Sequence, residues 1–314
     1  MKSLMLAMTL SWPLTAHAFP VARCINLGAA MEAPVEGDWG YIVAQDHIAL
    51  IAEAGFDTIR LPVRFADHWD GERLDPAILA RTDQVIGWAE TEGLNTILDL
   101  HHFLALKDNP GAHIDTLINI WEELAHHYAG APDSLMFELF NEPAINFTTE
   151  LAVPVFTDIT AMIRQTNPDR WIITGGGDWN DLDEMLRLPA PGHREVRTFH
   201  YYRPWDFTHQ QAAYLNDPPP PSDWGSAQDR AALAADMAQA ASAAGPVFLG
   251  EFGVYGATDE TQRLSWIRAV RETAEANSLP WCYWGFSQGA GIGFSAYNTG
   301  TESWDPGMPA TLLD

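Results

Sequence analysis

The sequence predicts the α/β class, and within it a single-domain (β/α)8 TIM barrel, on three observations. Its 314 residues show no second compositional block, and 47% hydrophobic with 19% charged residues suffice for one large core. Eight short apolar runs alternate with longer stretches whose apolar residues recur near the i, i+3, i+4 spacing, the mark of repeated βα units around a parallel sheet. No glycine-rich phosphate fingerprint follows the first run, which argues against an open doubly wound sheet.

The elements follow in chain order. Residues 1–18, MKSLMLAMTLSWPLTAHA, place one Lys before an apolar run and end in Ala16-His17-Ala18, the pattern of a signal peptide cleaved before Phe19. The Trp12-Pro13 break opposes a buried first helix, and the run is shorter than the roughly 20 residues that span a bilayer. Residues 19–314 are therefore expected to form the barrel of a secreted or periplasmic protein.

Strands are predicted over 24–27, 58–62, 95–101, 135–140, 171–174, 196–200, 247–250 and 280–284, each a short apolar run. Helices are predicted over 42–54, 76–92, 114–128, 151–165, 228–244 and 260–277. The segment NDPPPPSD at 216–223 predicts a stiff, polyproline-like part of a long loop after the sixth strand. Helix-forming sequence resumes soon after it, so it does not mark a linker between domains.

Charge and cysteine content narrow the partners. Lys plus Arg is 17 against 42 Asp plus Glu, a net −25, which becomes −26 once Lys2 leaves with the signal. That sign repels nucleic acid and anionic membranes, so neither is expected as a partner. Two cysteines, Cys24 and Cys282, offer neither a disulfide framework nor a cysteine-rich zinc site. They fall on the first and last predicted strands, neighbours in a closed barrel, where a disulfide and two buried thiols are the two readings.

In a barrel of this kind, chemistry gathers where strands end. Following the eight runs, those ends carry Arg60, His101 and His102, Asn141 and Glu142, His200 and Tyr202, Glu251, and Trp284. Packing does not account for so many polar groups converging on one rim, because buried polar groups are costly unless paired. Two glutamates there, in FELFNEP and FLGEFG, supply what glycosidic hydrolysis needs: a proton donor for the leaving oxygen and an anion facing the anomeric carbon. Their separation decides between retention and inversion, and sequence gives no distance.

The phrases RLPVRF, DLHHF, FELFNEP, TFHYYRPWDFTHQ, FLGEFG and WCYWGF, in this order, resemble glycoside hydrolase family 5, and more narrowly its secreted bacterial endo-β-1,4-glucanases. The resemblance spans nearly the whole mature chain. It implies retention, with Glu142 as acid/base, Glu251 as nucleophile and no cofactor. It implies that Arg60 holds the charge of Glu251, that His101 and Asn141 contact the sugar at subsite −1, and that Trp284 is the floor on which that ring stacks. His200 is implied beside Glu142, and Tyr202 as a donor to Glu251. Glu32, His102, Trp179, Trp205 and His209 match further positions that line the cleft.

Arg60 and Tyr202 favour an ionised Glu251, whose charge in turn disfavours ionising Glu142, so the expected pair is a protonated Glu142 beside a charged Glu251. Two departures bear on specificity: Ala29 and Tyr214 stand where relatives often carry Asn and Trp. The expected substrate is a soluble or amorphous β-1,4-glucan cut by a monomer, with β-mannan and mixed-linkage glucan as the alternatives within the family. A metal-dependent hydrolase is disfavoured because His126 and His127 fall within a predicted helix and no HxH or HExxH spacing occurs. A non-catalytic sugar-binding protein is disfavoured because both glutamates and all their implied partners are present.

Overall fold

The computed structural model describes residues 18–288 and 293–314; nearly all of the expected signal peptide, residues 1–17, lies outside the described residues. Eight parallel strands close into a barrel in the order β1 to β8, with β8 pairing back onto β1. They are β1 Arg23–Asn26, β2 Thr58–Val63, β3 Asn95–Leu100, β4 Leu135–Glu138, β5 Ile172–Gly175, β6 Glu195–Tyr201, β7 Val247–Phe252 and β8 Trp281–Tyr283. A small antiparallel hairpin, β9 Tyr297–Asn298 and β10 Ser303–Trp304, follows.

The helices are α1 Gln45–Ala54, α2 Pro76–Thr91, α3 Leu104–Asp108, α4 Pro110–His127, α5 Thr149–Ile163, α6 Gly177–Asn180, α7 Leu182–Met185, α8 Trp205–Thr208, α9 Ala227–Ala241, α10 Glu260–Ala276 and α11 Met308–Leu313. The six long helices predicted from periodicity are present, two with the predicted start, Pro76 and Glu260, and four with shifted starts. Ile42 is exposed and precedes α1, while Pro110 opens α4 before the predicted start because its fixed φ suits a first helical turn. Short α3, α6, α7, α8 and α11 escape prediction because four to six residues hold too little periodicity to register. No helix among the described residues is long and apolar enough to cross a membrane.

Strand alternation sorts side chains into a shell that meets the helices and a core inside the barrel. The inner core holds Cys24, Ile97, Met136, Ile173, Val196, Phe248 and Cys282, all buried, with Phe19 packed edge-on against Trp171 and Phe248. Cys24 and Cys282 face each other across the β1–β8 seam, bonded with an S–S distance of 2.10 Å. Two residues further along the same strands, the interior turns polar: Asn26, Arg60, Asp99 and Glu138 are completely buried. This change from apolar to polar marks the floor of the cleft.

Candidate active site

Arg60 organises the floor. A guanidinium has five N–H donors, and here each has an acceptor. Nε and Nη2 hold Glu138 at 2.7 and 2.9 Å, Nη1 reaches Asn26 Oδ1 at 2.8 Å and Glu251 Oε1 at 2.9 Å, and Nη2 also donates to Asn141 Oδ1 at 2.7 Å. Asp99 Oδ2 adds an ion pair at 3.1 Å. Asn26 is fixed in turn by donating its amide to the Gly250 and Tyr283 carbonyls, both at 3.2 Å. One cation thus ties five of the eight strands to residues at the cleft.

Glu251 owes its direction to an irregularity in β7. Phe199 pairs with Leu249, but the next residue, His200, pairs with Glu251, so Gly250 is an extra residue in the strand. A bulge of this kind re-aims the side chain that follows it. A Cβ on Gly250 would fall 2.5 Å from Thr198 Oγ1, so only glycine fits the bend. Glu251 then lies beside His200, and Tyr202 OH donates to its Oε2 at 2.9 Å.

Glu142 enters from the loop after β4, where His200 Nδ1 sits 2.9 Å from its Oε1 and Lys107 Nζ lies 3.9 Å from its Oε2. Glu142, His200 and Glu251 each bring an oxygen or nitrogen within 4.8 Å of the others. His200 hydrogen-bonds Glu142 and lies 3.5 Å from Glu251 Oε2, while Arg60 and Tyr202 hydrogen-bond Glu251.

Burial and neighbouring charges act differently on the two glutamates. Burial pushes Glu251 up to about 7, although His200, Arg60 and Tyr202 all favour its anion. Burial also works against a charged Glu142, but the hydrogen bond and charge of His200, with Lys107, outweigh it and bring Glu142 down to about 2. The physical reason is sharing: Arg60 serves Asp99, Glu138 and Glu251 together, whereas Lys107 and the His200 hydrogen bond lie against Glu142. For His200, burial disfavours the charged ring, yet Glu251 and Glu142 prevail and hold it above its ordinary range.

His101 donates toward Asp99 Oδ2 at 2.6 Å and stacks on Trp284 at 5.4 Å between centroids, 5° from parallel. Burial, then Arg60, keeps the ring neutral well below the usual histidine range, so with Nδ1 spent on Asp99 its Nε2 is an acceptor. Trp284 lies against the backbone at Gly28, where a Cβ would come within 3.0 Å of the indole. Asn141 has its carbonyl oxygen taken by Arg60, which leaves Nδ2 as its donor.

All twelve of Glu32, His101, His102, Asn141, Glu142, Trp179, His200, Tyr202, Trp205, His209, Glu251 and Trp284 line one cleft of about 1000 Å³, with Arg60 buried beneath it. Glu32 turns its carboxylate to the Ala29 and Ala30 amides, and burial pushes it up to about 7. Trp179 projects from three successive residues with positive φ, Asp178, Trp179 and Asn180, and is half exposed. Trp205 is exposed and stacks on His209.

Sequence reasoning missed Asp99, Glu138 and Asn26 on the floor, Lys107 buried next to Glu142, and Trp39 on the wall. For the two carboxylates a signal existed: a charge inside the apolar runs NTILDL and LMFE. Trp39, at the cleft edge against His102 and Arg64, sits in a loop without periodicity.

Residues 22–290 match the family model described as Cellulase (glycosyl hydrolase family 5). Endoglucanase H of Acetivibrio thermocellus is 30% identical over 290 residues, an alignment covering 89% of this chain and 31% of that protein. The chain thus spans about a third of that relative's length. Thermotoga maritima Cel5A, solved with cellobiose, superposes with a TM-score of 0.89 at 30% identity, covering 94% of this chain and 98% of that one. The cellulose synthase subunit Z (CcsZ) of Clostridioides difficile gives 0.89 at 32%, covering 94% and 100%.

Proposed function

The chain belongs to glycoside hydrolase family 5, and from that premise we propose that it is a retaining endo-β-1,4-glucanase, with Glu251 as nucleophile and Glu142 as acid/base. The observation that carries the mechanism is the approach of Glu142 and Glu251, oxygen to oxygen, within 4.8 Å. Retaining enzymes hold their carboxyl groups about 5–5.5 Å apart, whereas inverting ones leave roughly 6.5–9.5 Å for a water. The close approach of the pair supports the retaining reading.

In the first step Glu251 attacks the anomeric carbon while Glu142 protonates the departing glycosidic oxygen. The proton is at hand, because the Glu142–His200 hydrogen bond holds one whichever atom carries it. Arg60 and Tyr202 hold Glu251 in the attacking orientation. In the second step water attacks the same carbon, Glu142 takes the water's proton, and the bond to Glu251 breaks. Asn141 Nδ2 is placed for the sugar 2-hydroxyl, His101 Nε2 for a neighbouring hydroxyl, and Trp284 for the ring's apolar face.

The glucan preference draws support from the endoglucanase relatives, including the Thermotoga enzyme solved with cellobiose. A β-mannan preference is the second reading, since that same enzyme was also solved with mannotriose. Secretion after cleavage behind Ala18 and action as a monomer without a cofactor complete the proposal.

The test is the initial hydrolysis rate of residues 19–314 on carboxymethylcellulose, barley β-glucan and glucomannan, with and without chelator, beside Glu251→Ala. Chelator-insensitive release of reducing sugar from the glucans, lost in Glu251→Ala, is the expected result. Activity confined to glucomannan would favour the mannan reading, and none from a folded protein would reject both.

A further inference from the structure

Lys107 lies in the last turn of α3 and is 4% exposed, an unusual fate for a lysine. Its ammonium lies 5.6 Å from the centre of the Phe140 ring and 3.9 Å from Glu142 Oε2, on the carboxylate oxygen that His200 leaves free. Among the described residues, Glu142 is its one carboxylate partner within 4 Å. Two hydrogen bonds tie α3 to the loop that follows Glu142: Asn146 N donates to the Lys107 carbonyl at 3.1 Å, and Asn146 Nδ2 to the Asp108 carbonyl at 2.8 Å.

Stability does not explain the residue, since a methionine would fill the same space without desolvating a charge. Building on the family 5 mechanism above, we propose that Lys107 is a positioning residue for the acid/base: it holds Glu142 Oε2 and favours the carboxylate form. That form is the one required in the second step, when the water oxygen bonds to the anomeric carbon, its proton passes to Glu142, and the electron pair of the breaking bond returns to Glu251. Glycosylation removes the charge of Glu251, and Lys107 then adds to His200 in keeping Glu142 a base.

Other titratable groups face the same carboxylate: Asp99, His101 and His102 from β3 and its end, His200 and Tyr202 from β6, Glu251 from β7, and His209 and Tyr214 from the following loop. Arg60 lies below them, committed to three other carboxylates. Burial lowers Lys107 itself, while Glu142, Glu251 and Asp99 favour its charge.

The experiment compares wild type, K107M and K107R by the pH dependence of kcat/KM on cellotetraose, and by NMR titration of the His200 ring. Removing a positive charge next to Glu142 makes the Glu142–His200 pair hold its proton more tightly. The alkaline limb and the ring titration should both move up by about one pH unit in K107M and return in K107R, as expected for an opposite charge at this range. K107Q replaces K107M if the latter does not fold.

A folded K107M or K107Q with both titrations in the wild-type position would overturn the proposal. So would failure of both to fold, which would make the role structural. If wild type does not hydrolyse cellotetraose, the enzymatic reading fails by itself, and the His200 titration still decides the case for Lys107.

Discussion

His200 Nδ1 lies 2.9 Å from Glu142 Oε1 and 3.5 Å from Glu251 Oε2, so one imidazole spans both carboxylates. The two glutamates therefore titrate with the ring as one coupled set, and macroscopic pKa values belong to the set.

That coupling fixes the shape of the pH profile. Burial disfavours the charge of Glu251, so kcat/KM should fall toward acid pH as the set takes up a proton on the nucleophile. It should fall again on the alkaline side as the Glu142–His200 pair loses its proton, and Glu142→Gln should lose that second limb. Stopped assays on cellotetraose from pH 4 to 10 check this; full activity persisting at pH 5 would contradict it.

Replacing Arg60 by Lys should be far from conservative. A lysine has three donors where the arginine uses five, and it leaves Glu138, Asn26 or Asn141 facing a buried vacancy in the hydrogen-bond network. A buried polar group left unpaired costs about 1–3 kcal/mol, so urea denaturation should show a loss of that order, with activity reduced by orders of magnitude.

Ala29 has φ 62°, in the left-handed region that disfavours residues with a Cβ. Asparagine tolerates this conformation better, so Ala29→Asn should stabilise the protein by roughly 1 kcal/mol. Thermal melting tests the gain. KM on cellotetraose then tests whether the new amide, on the cleft wall, touches the sugar.

Stability should peak on the acid side of neutrality. Glu32, Asp99 and Glu251 are raised to about 7, so each contributes stability that is fully present below the unfolded carboxyl range and lost as pH rises through 7. His102 and His209 are held down to about 2 and about 3, and their contribution is lost as pH falls below the unfolded histidine value near 6.5. The two sets oppose each other between about pH 4.5 and 6.5; above that the acids act together with His200, whose raised range gives stability that is likewise lost as pH rises. Urea midpoints should decline from pH 6.5 to 8, and a steady rise there would count against the buried acids.

The barrel was legible because each strand is buried on both faces and reads as an apolar run, while each long helix carries its own period. Positions toward strand ends were legible by the same logic, which is why His101, Glu142, His200, Glu251 and Trp284 line one cleft; Arg60, the third of six residues in β2, lies beneath it. Asp99 and Glu138 were hidden by their strands, and Lys107 by a five-residue helix too short to show a face. The Gly250 bulge depends on strand register, which sequence does not carry.

The most direct test of the proposed mechanism is the configuration of the first product. Proton NMR of a cellotetraose digest, recorded before mutarotation, should show the β-anomer appearing first at the new reducing end, as a covalent intermediate on Glu251 requires. Initial release of the α-anomer would mean inversion, and would contradict Glu251 as nucleophile and Glu142 as acid/base of a retaining enzyme.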